Sequence, residues 1–296
     1  MSLKIGVLMG GNSSERNVSI KTGHAVLNAC EDLGYYATKL SFKKNYKKLL
    51  ASLKKQDIIF NSLHGGIGEN GEIQYWMDKN KIKYTGSGPE SSKLCMDKAA
   101  SKELAKIMGV QTPEWELIND PLVIPGLEFP YVIKPNDQGS TFGISVIYSE
   151  KEIREAIREA LKYGKSLIAE KYVEGRELTL PIIGEKALPI VEIIPSHDFY
   201  DYECKYSEGL SKYECPANLD KELALEIRIN TELLFQELGC NTYARADFIL
   251  SSEGVPYFLE MNTLPGMTAT SLVPKSAYAS GIPFNQLIRN IVELSL

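Results

Sequence analysis

The chain has 296 residues, 44% of them hydrophobic and 24% charged, a composition typical of a soluble globular protein with room for two or three cores. Its formal charge is −5, from 33 basic and 38 acidic residues, so it lacks the basic footprint of a nucleic-acid or anionic-membrane binder. No apolar run is long enough to span a bilayer, and five scattered cysteines without a CxxC pair argue against a metal cluster or disulfide framework and for a reducing cytoplasm.

Residues 4–9 read as a compact apolar strand. The opening runs into GNSSER without a small-residue cleavage pattern, which separates it from a signal segment. Gly10-Gly11 stops the strand, and Val18, Thr22, Ala25, Val26 and Cys30 then recur at helical spacing. Strand, glycine turn, polar cap and helix open an α/β unit whose helix N-terminus suits an anion. A strand over 36–42, a Lys-rich helix over 44–55 and a strand over 57–63 continue the alternation. The pattern predicts a parallel sheet with ligands at the carboxyl ends of its strands. His64 stands at such an end, before the glycine-dense stretch 65–71, although a lone histidine there is more often structural. A short strand and turn over 82–88 close the first region, with a boundary near Pro89.

A helical run follows from Ser91 and contains Lys98, a surface lysine by default. Beyond a Pro-interrupted stretch, FPYVIKP (129–135) reads as a strand ending in Lys134. The loop 136–143, rich in Gly, Ser and Thr, then leads to a strand over 144–148. Such a loop can fold over phosphates with backbone N–H groups as donors, although ordinary hairpin loops share its composition. An amphipathic helix over 150–162 and a strand over 166–173 lead to EKYVEGRE, whose bland interpretation is a charged turn. A hairpin (178–183 and 187–194) precedes the aromatic, charged segment 199–206, which is odd for a plain linker and suggests a functional loop. A long helix (220–238), a second hairpin and two closing helices complete the chain.

The second hairpin carries the densest chemistry. YARADFIL and VPYFLEMN flank the turn-forming 251–254. With the turn centred between Glu253 and Gly254, Asp247 lies opposite Glu260 and Arg245 opposite Asn262, all on one face. Ala246, Phe248, Leu259 and Met261 then point into a core. Two carboxylates, an amide and a guanidinium on one face are costly if dry and unpaired. A hard divalent cation such as Mg²⁺ resolves that cost. A solvated face with a cross-strand ion pair resolves it equally well, and spacing alone leaves both open.

Taken together, MGGNSSERNVS, LHGGIGENG, TGSG, MDK, KPNDQGSTFGIS, EKYVEGRE, FYDYECKY and RADF…LEMNTLPGMTATSLVP, in that order, resemble the D-alanine–D-alanine ligase pattern of the ATP-grasp superfamily. The resemblance covers essentially the whole chain. It implies an α/β fold, α+β in parts, with an N-terminal substrate domain (1–88), a central ATP-grasp domain carrying a phosphate flap (89–178) and a C-terminal ATP-grasp domain (179–296) with the metal and oxyanion site. ATP would lie between the two later domains.

Residue by residue, the resemblance makes Asp247, Glu260 and Asn262 ligands of two Mg²⁺ ions, with Mn²⁺ as a substitute. Lys98 and Lys134 match phosphate-binding lysines, and Gly139 and Ser140 belong to the flap. Glu170, Tyr172, Val173 and Glu177 match adenosine contacts, with Lys205 counted among the nucleotide-binding residues. Glu15 matches the carboxylate that receives the first D-alanine's ammonium, hydrogen-bonded to Ser140 and Tyr206, and His64 faces that substrate. Arg245 and the Gly266 N–H match the oxyanion-stabilising pair, and Ser271 and Leu272 the contacts to the second substrate's carboxylate. The implied reaction makes D-alanyl-D-alanine for peptidoglycan precursors through a D-alanyl phosphate, in a cytoplasmic homodimer without nucleic-acid or membrane partners.

Related D-alanine–D-lactate ligases depart from the family at the loop holding Tyr206, whereas this chain keeps YDYE..KY, which favours an amine acceptor. Three alternatives stand beside this one. An ATP-grasp ligase with another acceptor, such as D-lactate or a different amino acid, is opposed by the intact Glu15, Ser140 and Tyr206. A catalytically dead nucleotide module is opposed by the intact metal triad of Asp247, Glu260 and Asn262. An NAD-dependent dehydrogenase fails because GGNSSE lacks the dinucleotide glycine spacing.

Overall fold

The computed structural model describes residues 2–122, 124–139, 142–195 and 211–296. Its described strands form three sheets. The first is parallel, with β1 (Lys4–Gly10) between β2 (Tyr36–Phe42) and β3 (Ile58–Asn61). Every residue of β1 after Lys4 is buried, as expected for a central parallel strand covered on both faces. Helix α1 (Arg16–Asp32) packs on one face and buries Thr22, Val26, Ala29 and Cys30 at helical spacing.

The Lys-rich segment does not form the single helix expected over 44–55. A 3₁₀ turn (Tyr46–Leu49), capped when Asn45 Oδ1 accepts from Lys47 N, leads into the four-residue α2 (Leu50–Leu53). Only Tyr46 and Leu53 of this stretch are buried, so little apolar surface holds a longer helix in place. Helix α3 (Glu72–Lys79) follows, and the strand expected over 82–88 is reduced to one parallel bridge between Tyr84 and Ile59.

The helical run beyond Pro89 breaks into α4 (Pro89–Met96) and α5 (Lys98–Ile107). Asp97 is extended between them, and its Oδ1 accepts from Ala100 N at 3.0 Å, the N-cap of α5. Lys98 therefore begins a helix rather than lying within one.

In the second sheet β4 (Trp115–Ile118), β5 (Tyr131–Pro135), β6 (Ser145–Ile147) and β7 (Leu167–Lys171) run antiparallel in the order β4-β7-β5-β6. Helix α6 (Glu150–Ala160) covers it, its Ile153 and Ile157 packing on Tyr131, Ile133 and Leu167.

The third sheet contains β8 (Gly175–Ile183), β9 (Lys186–Ala187), β10 (Val191–Pro195), β11 (Ser211–Glu214), β12 (Tyr243–Ser251) and β13 (Pro256–Asn262). Its order is β11-β10-β8-β12-β13, with β9 paired to β8. Helix α7 (Lys221–Glu237) packs on it, and α8 (Leu272–Ala279) and α9 (Phe284–Leu294) end the chain.

The cores do not follow the expected division at 88 and 178. Cys95 and Ala105, from α4 and α5, join the core of the third sheet with Leu180, Phe248, Phe258 and Met261. Val273, Leu287, Ile288 and Ile291, from the last two helices, close the core of the first sheet over Ile5, Val7 and Val26. The boundary at 178 falls inside β8, which lies wholly in the third sheet. The first and third sheets have more apolar face than their neighbours in sequence can cover, so distant helices complete them, whereas α6 alone closes the second. Among the described residues no helix is long and apolar enough to cross a membrane.

Candidate functional site

The β12–β13 hairpin sets the register of the site. Arg245 pairs with Asn262, Ala246 with Met261 and Asp247 with Glu260, as the turn chemistry predicts. The route to that register differs from the expected one. The turn is closed around Glu253, with Gly254 N donating to Ser251 O and Ser251 N to Val255 O, so Phe248 pairs with Phe258. A bulge between these zones supplies the missing residue, Leu259.

A bulge sets two residues opposite one and interrupts the alternation of faces. Phe258 consequently fills the core position expected for Leu259, fully buried and edge-on to Phe248 at 5.7 Å, while Leu259 is only half-buried. Phe258 N donates to Gln111 O at 2.8 Å, and its carbonyl accepts from Thr112 Oγ1 at 2.9 Å and Lys102 Nζ at 3.3 Å.

On the polar face the Arg245 guanidinium holds both oxygens of Asp247, Nε to Oδ1 at 2.8 Å and Nη2 to Oδ2 at 2.6 Å. Thr179, opposite Asp247 on β8, donates to its Oδ1 at 2.5 Å. Across the hairpin Glu260 Oε2 lies 3.0 Å from Lys98 Nζ, and Asn262 Oδ1 accepts from Leu264 N at 2.9 Å. Each carboxylate is thus matched by a cation within the chain. Among the described residues no group of three or more His, Cys, Asp or Glu side chains could hold a metal. Two carboxylates and an amide oxygen form an incomplete hard-oxygen set, which fits an ion such as Mg²⁺ that takes its remaining ligands from phosphates and water.

Lys98 reaches this face because the second sheet is tied to α5. Asn136 Oδ1 accepts from Ala99 N, Asn136 Nδ2 donates to Asp97 Oδ1, and Lys98 N donates to Asn136 O. Lys98 Nζ also donates to Gln138 O at 2.7 Å, one residue before Gly139. Lys134, at the end of β5, donates to Glu170 Oε1 at 2.7 Å. The other oxygen of Glu170 meets Lys102 Nζ at 2.6 Å.

Burial alone would raise the Glu170 carboxyl, but the paired lysines outweigh it and hold its pKa below the ordinary range. The Glu170 carboxylate, expected beside adenosine, is therefore committed to the two lysines. Lys102 went unnoticed in the sequence. Its signal was the i, i+4 spacing from Lys98, which puts both on one face of α5.

Tyr172 and Val173 line a cleft of about 530 Å³ with Pro113, Lys171, Ser251 and Tyr257, between the second and third sheets. Glu177 lies on β8, paired with Ile249 on one side and Ile193 on the other.

At the carboxyl ends of the first sheet, His64 Nε2 is 3.0 Å from Thr22 Oγ1 and its Nδ1 is 3.6 Å from Glu69 Oε1. Ser13 Oγ donates to His64 O, and Ser19 Oγ to Ser62 O, pinning α1 to the strand end. Glu15 precedes α1 and is buried, but its side chain does not cap the helix. A Cβ on Gly65, which also has φ of +66°, would stand 2.7 Å from Glu15 Oε2. A Cβ on Gly139 would stand 3.2 Å from Glu69 Oε2 and 3.3 Å from Glu15 Oε2. Two glycine loops therefore meet over two carboxylates, and Glu69 is a second site residue the sequence reading passed over, treated only as part of a glycine-dense loop.

Near the exit of β13, a Cβ on Gly266 would lie 2.9 Å from Ser271 Oγ, which accepts from Thr268 N at 3.0 Å. Ser271 directly precedes α8. The Leu272 side chain is buried with Val191 and Ile193. Leu272 offers main-chain atoms at the start of α8 instead. Ser140, Lys205 and Tyr206 lie outside the described residues.

Comparison with known proteins shows the family of the chain. Residues 101–293 match the family described as D-ala D-ala ligase C-terminus. D-alanine--D-alanine ligase B of Clostridium perfringens is 40% identical over 99% of this chain and 98% of its own length. The D-alanine--D-alanine ligase of Methylacidiphilum infernorum is 42% identical, over 98% and 95% respectively. Among solved structures, the Bacillus anthracis D-alanine--D-alanine ligase complexed with ATP superposes with a TM-score of 0.88 at 34% identity, covering 100% of this chain and 97% of that one. The VanG D-Ala:D-Ser ligase of Enterococcus faecalis superposes at 0.86 with 26% identity, each chain covered completely. With its ATP-grasp architecture, paired lysines and acidic hairpin face, the chain belongs to the D-alanine–D-alanine ligase family.

Proposed function

We propose how the chain performs the ATP-dependent joining of two D-alanine molecules that its family membership gives it. The observation that carries the assignment of roles is the hairpin register, which sets Arg245, Asp247, Glu260 and Asn262 on one face within reach of Lys98.

Glu15 receives the ammonium of the first D-alanine, with His64 and Glu69 beside it. Lys98 and Lys134 bind the phosphates of ATP, and the Tyr172–Val173 segment takes the base. A carboxylate oxygen of the first D-alanine attacks the γ-phosphorus, the bond to the β–γ bridging oxygen breaks, and ADP leaves a D-alanyl phosphate. The amine of the second D-alanine attacks the acyl carbon. Arg245 and the Gly266 N–H stabilise the resulting oxyanion. Phosphate departs as the carbonyl re-forms, and the amine's surplus protons pass to solvent through the site. Tyr206 belongs to that relay, though an ordinary tyrosine pKa of about 10 makes it a poor base alone.

Asp247, Glu260 and Asn262 would hold Mg²⁺, or Mn²⁺ in its place, which offsets phosphate charge and orients the γ-phosphoryl group when bound. Asp247 holds Arg245 and Glu260 holds Lys98. Arg245 would serve the oxyanion and Lys98 the phosphates, each from its place on this face. Ser140 and Tyr206 join Glu15 in closing the site, because an acyl phosphate exposed to water would hydrolyse.

D-alanine is favoured as acceptor over D-lactate or another amino acid by the curated relatives, which carry the D-alanine--D-alanine name at 38% identity and above. The strand content of the three sheets supports units at 2–88, 89–174 and 175–296, with α4, α5 and the last two helices packing across those boundaries. A cytoplasmic homodimer that makes peptidoglycan precursors is the setting the family suggests. Phosphate release from ATP and Mg²⁺, measured with and without D-alanine, tests the assignment. D-alanine-dependent release with D-alanyl-D-alanine as product is expected, and release indifferent to D-alanine would overturn it.

A further inference from the structure

We propose that Lys102 is a positioning residue for nucleotide binding, which shares the Glu170 carboxylate with Lys134 and so leaves Lys134 with charge to offer a phosphate. The proposal rests on the phosphate-binding role of Lys134 stated above.

The geometry around Lys102 is closed. Its side chain is fully buried, and its Nζ meets Glu170 Oε2 at 2.6 Å, Thr112 Oγ1 at 2.9 Å and Phe258 O at 3.3 Å. Two protein oxygens accept from its ammonium, and the Glu170 carboxylate meets it as an ion pair. Thr112 Oγ1 gives its own proton to Phe258 O, so towards Lys102 it acts as acceptor. Lys102 is therefore turned inward and touches no bound phosphate itself.

Its effect passes through Glu170. That carboxylate, buried on β7, lies between two ammonium groups at 2.6 and 2.7 Å. One negative charge shared by two positive ones leaves the cluster with a net single positive charge, and Lys134 is the member at the strand end beside the flap. Without Lys102, Lys134 and Glu170 form a neutral pair, and an incoming phosphate must compete with a buried carboxylate for the Lys134 charge. Lys102 also steadies the carbonyl of Phe258, the residue before the bulge that sets Glu260 in place. Burying a lysine completely is costly enough to pull its pKa down to about 8, and the electrostatic account explains what that cost supports.

The test uses the full chain and ATP binding without D-alanine, so its outcome is separate from the ligation reaction. Lys102→Met is expected to weaken ATP binding by roughly tenfold to a hundredfold, the scale of one charged hydrogen bond. The KM for D-alanine should stay within about twofold, since Lys102 contacts no part of that subsite. Lys102→Met/Glu170→Gln returns the cluster to a single positive charge and should recover ATP affinity to within about threefold of the parent. A purely structural lysine would leave the double variant at least as impaired as the single one. Unchanged ATP affinity in Lys102→Met, or no recovery in the double variant, would overturn the proposal. Should Lys102→Met fail to fold, the double variant alone decides, near-parental affinity supporting the proposal and weak affinity rejecting it. Lys134→Met serves as control, and parental ATP affinity there would remove the Lys134 role on which the proposal stands.

Discussion

The Arg245 guanidinium grips the Asp247 carboxylate two residues further along the same strand, with both of its hydrogen bonds at or below 2.8 Å. Residues two apart on a strand share a face, but a bidentate clasp between them also requires a planar donor fork. Arg245→Ala should reduce ligation about a hundredfold to a thousandfold, the scale of losing one oxyanion donor, while circular dichroism remains that of the parent. Arg245→Lys should rescue little, because a lysine cannot reproduce the fork. Parental turnover in a folded Arg245→Ala variant would remove this residue from the chemistry.

Glu260 faces Asp247 across the hairpin and holds Lys98 at 3.0 Å. Glu260→Gln keeps the shape but removes the charge that a divalent ion needs. Turnover should fall to background and should not recover with excess Mg²⁺. Chelation of the parent should abolish activity, and added Mg²⁺ or Mn²⁺ should restore it. Persistent activity in chelator would exclude a role for the ion.

The bulge makes a prediction about stability. Phe258 is fully buried against Phe248, whereas Leu259 is half-buried. Phe258→Ala should cost about 3–5 kcal/mol of unfolding free energy through the cavity it leaves. Leu259→Ala should cost less than about 1.5 kcal/mol. Denaturant titration distinguishes them, and the reverse order would contradict the bulged register.

Lys102 gives a pH signature. Burial pulls its pKa from an ordinary 10.5 to about 8, opposed by Glu170 on β7 and Glu260 on β13 and reinforced by Lys134 on β5. Between about 8 and 10.5 the unfolded chain therefore binds more protons at this position than the folded chain. The burial penalty is complete below 8 and is relieved as pH rises towards 10.5, so this group makes stability increase with pH in that window. ATP affinity should move the opposite way, falling as pH rises through about 8 and the cluster loses its net positive charge. Lys102→Met should abolish both trends, and an identical pH profile in that variant would assign them to another group.

Acceptor choice is the last test. The curated relatives and the YDYE..KY segment both favour an amine. Dipeptide formation with D-alanine should therefore exceed depsipeptide formation with D-lactate at neutral pH. D-serine is a useful third acceptor, since the Enterococcus faecalis D-Ala:D-Ser ligase shares the fold. A clear preference for D-lactate would reverse the acceptor assignment.

Only the family resemblance carried by motif order assigned Lys98 and Lys134 to one site, whereas strand alternation and turn chemistry by themselves determined the alternating α/β opening and the facing of Asp247 by Glu260. These depend on short-range geometry, in which a period of two on a strand holds whatever packs beyond it. Only the tertiary structure decided which side chains became dry. Lys102, unremarked within its helical run, became a buried ion-pair partner only when α5 docked onto β13 and Glu170 came alongside from β7. Glu69 became a partner of His64, and a neighbour of Gly139, only when two loops distant in sequence met. Phe258 exchanged places with Leu259 because the turn closed one residue early and a bulge restored the register. Burial and ion pairing are sums over neighbours distant in sequence, and those neighbours are assembled only when the three sheets share their helices.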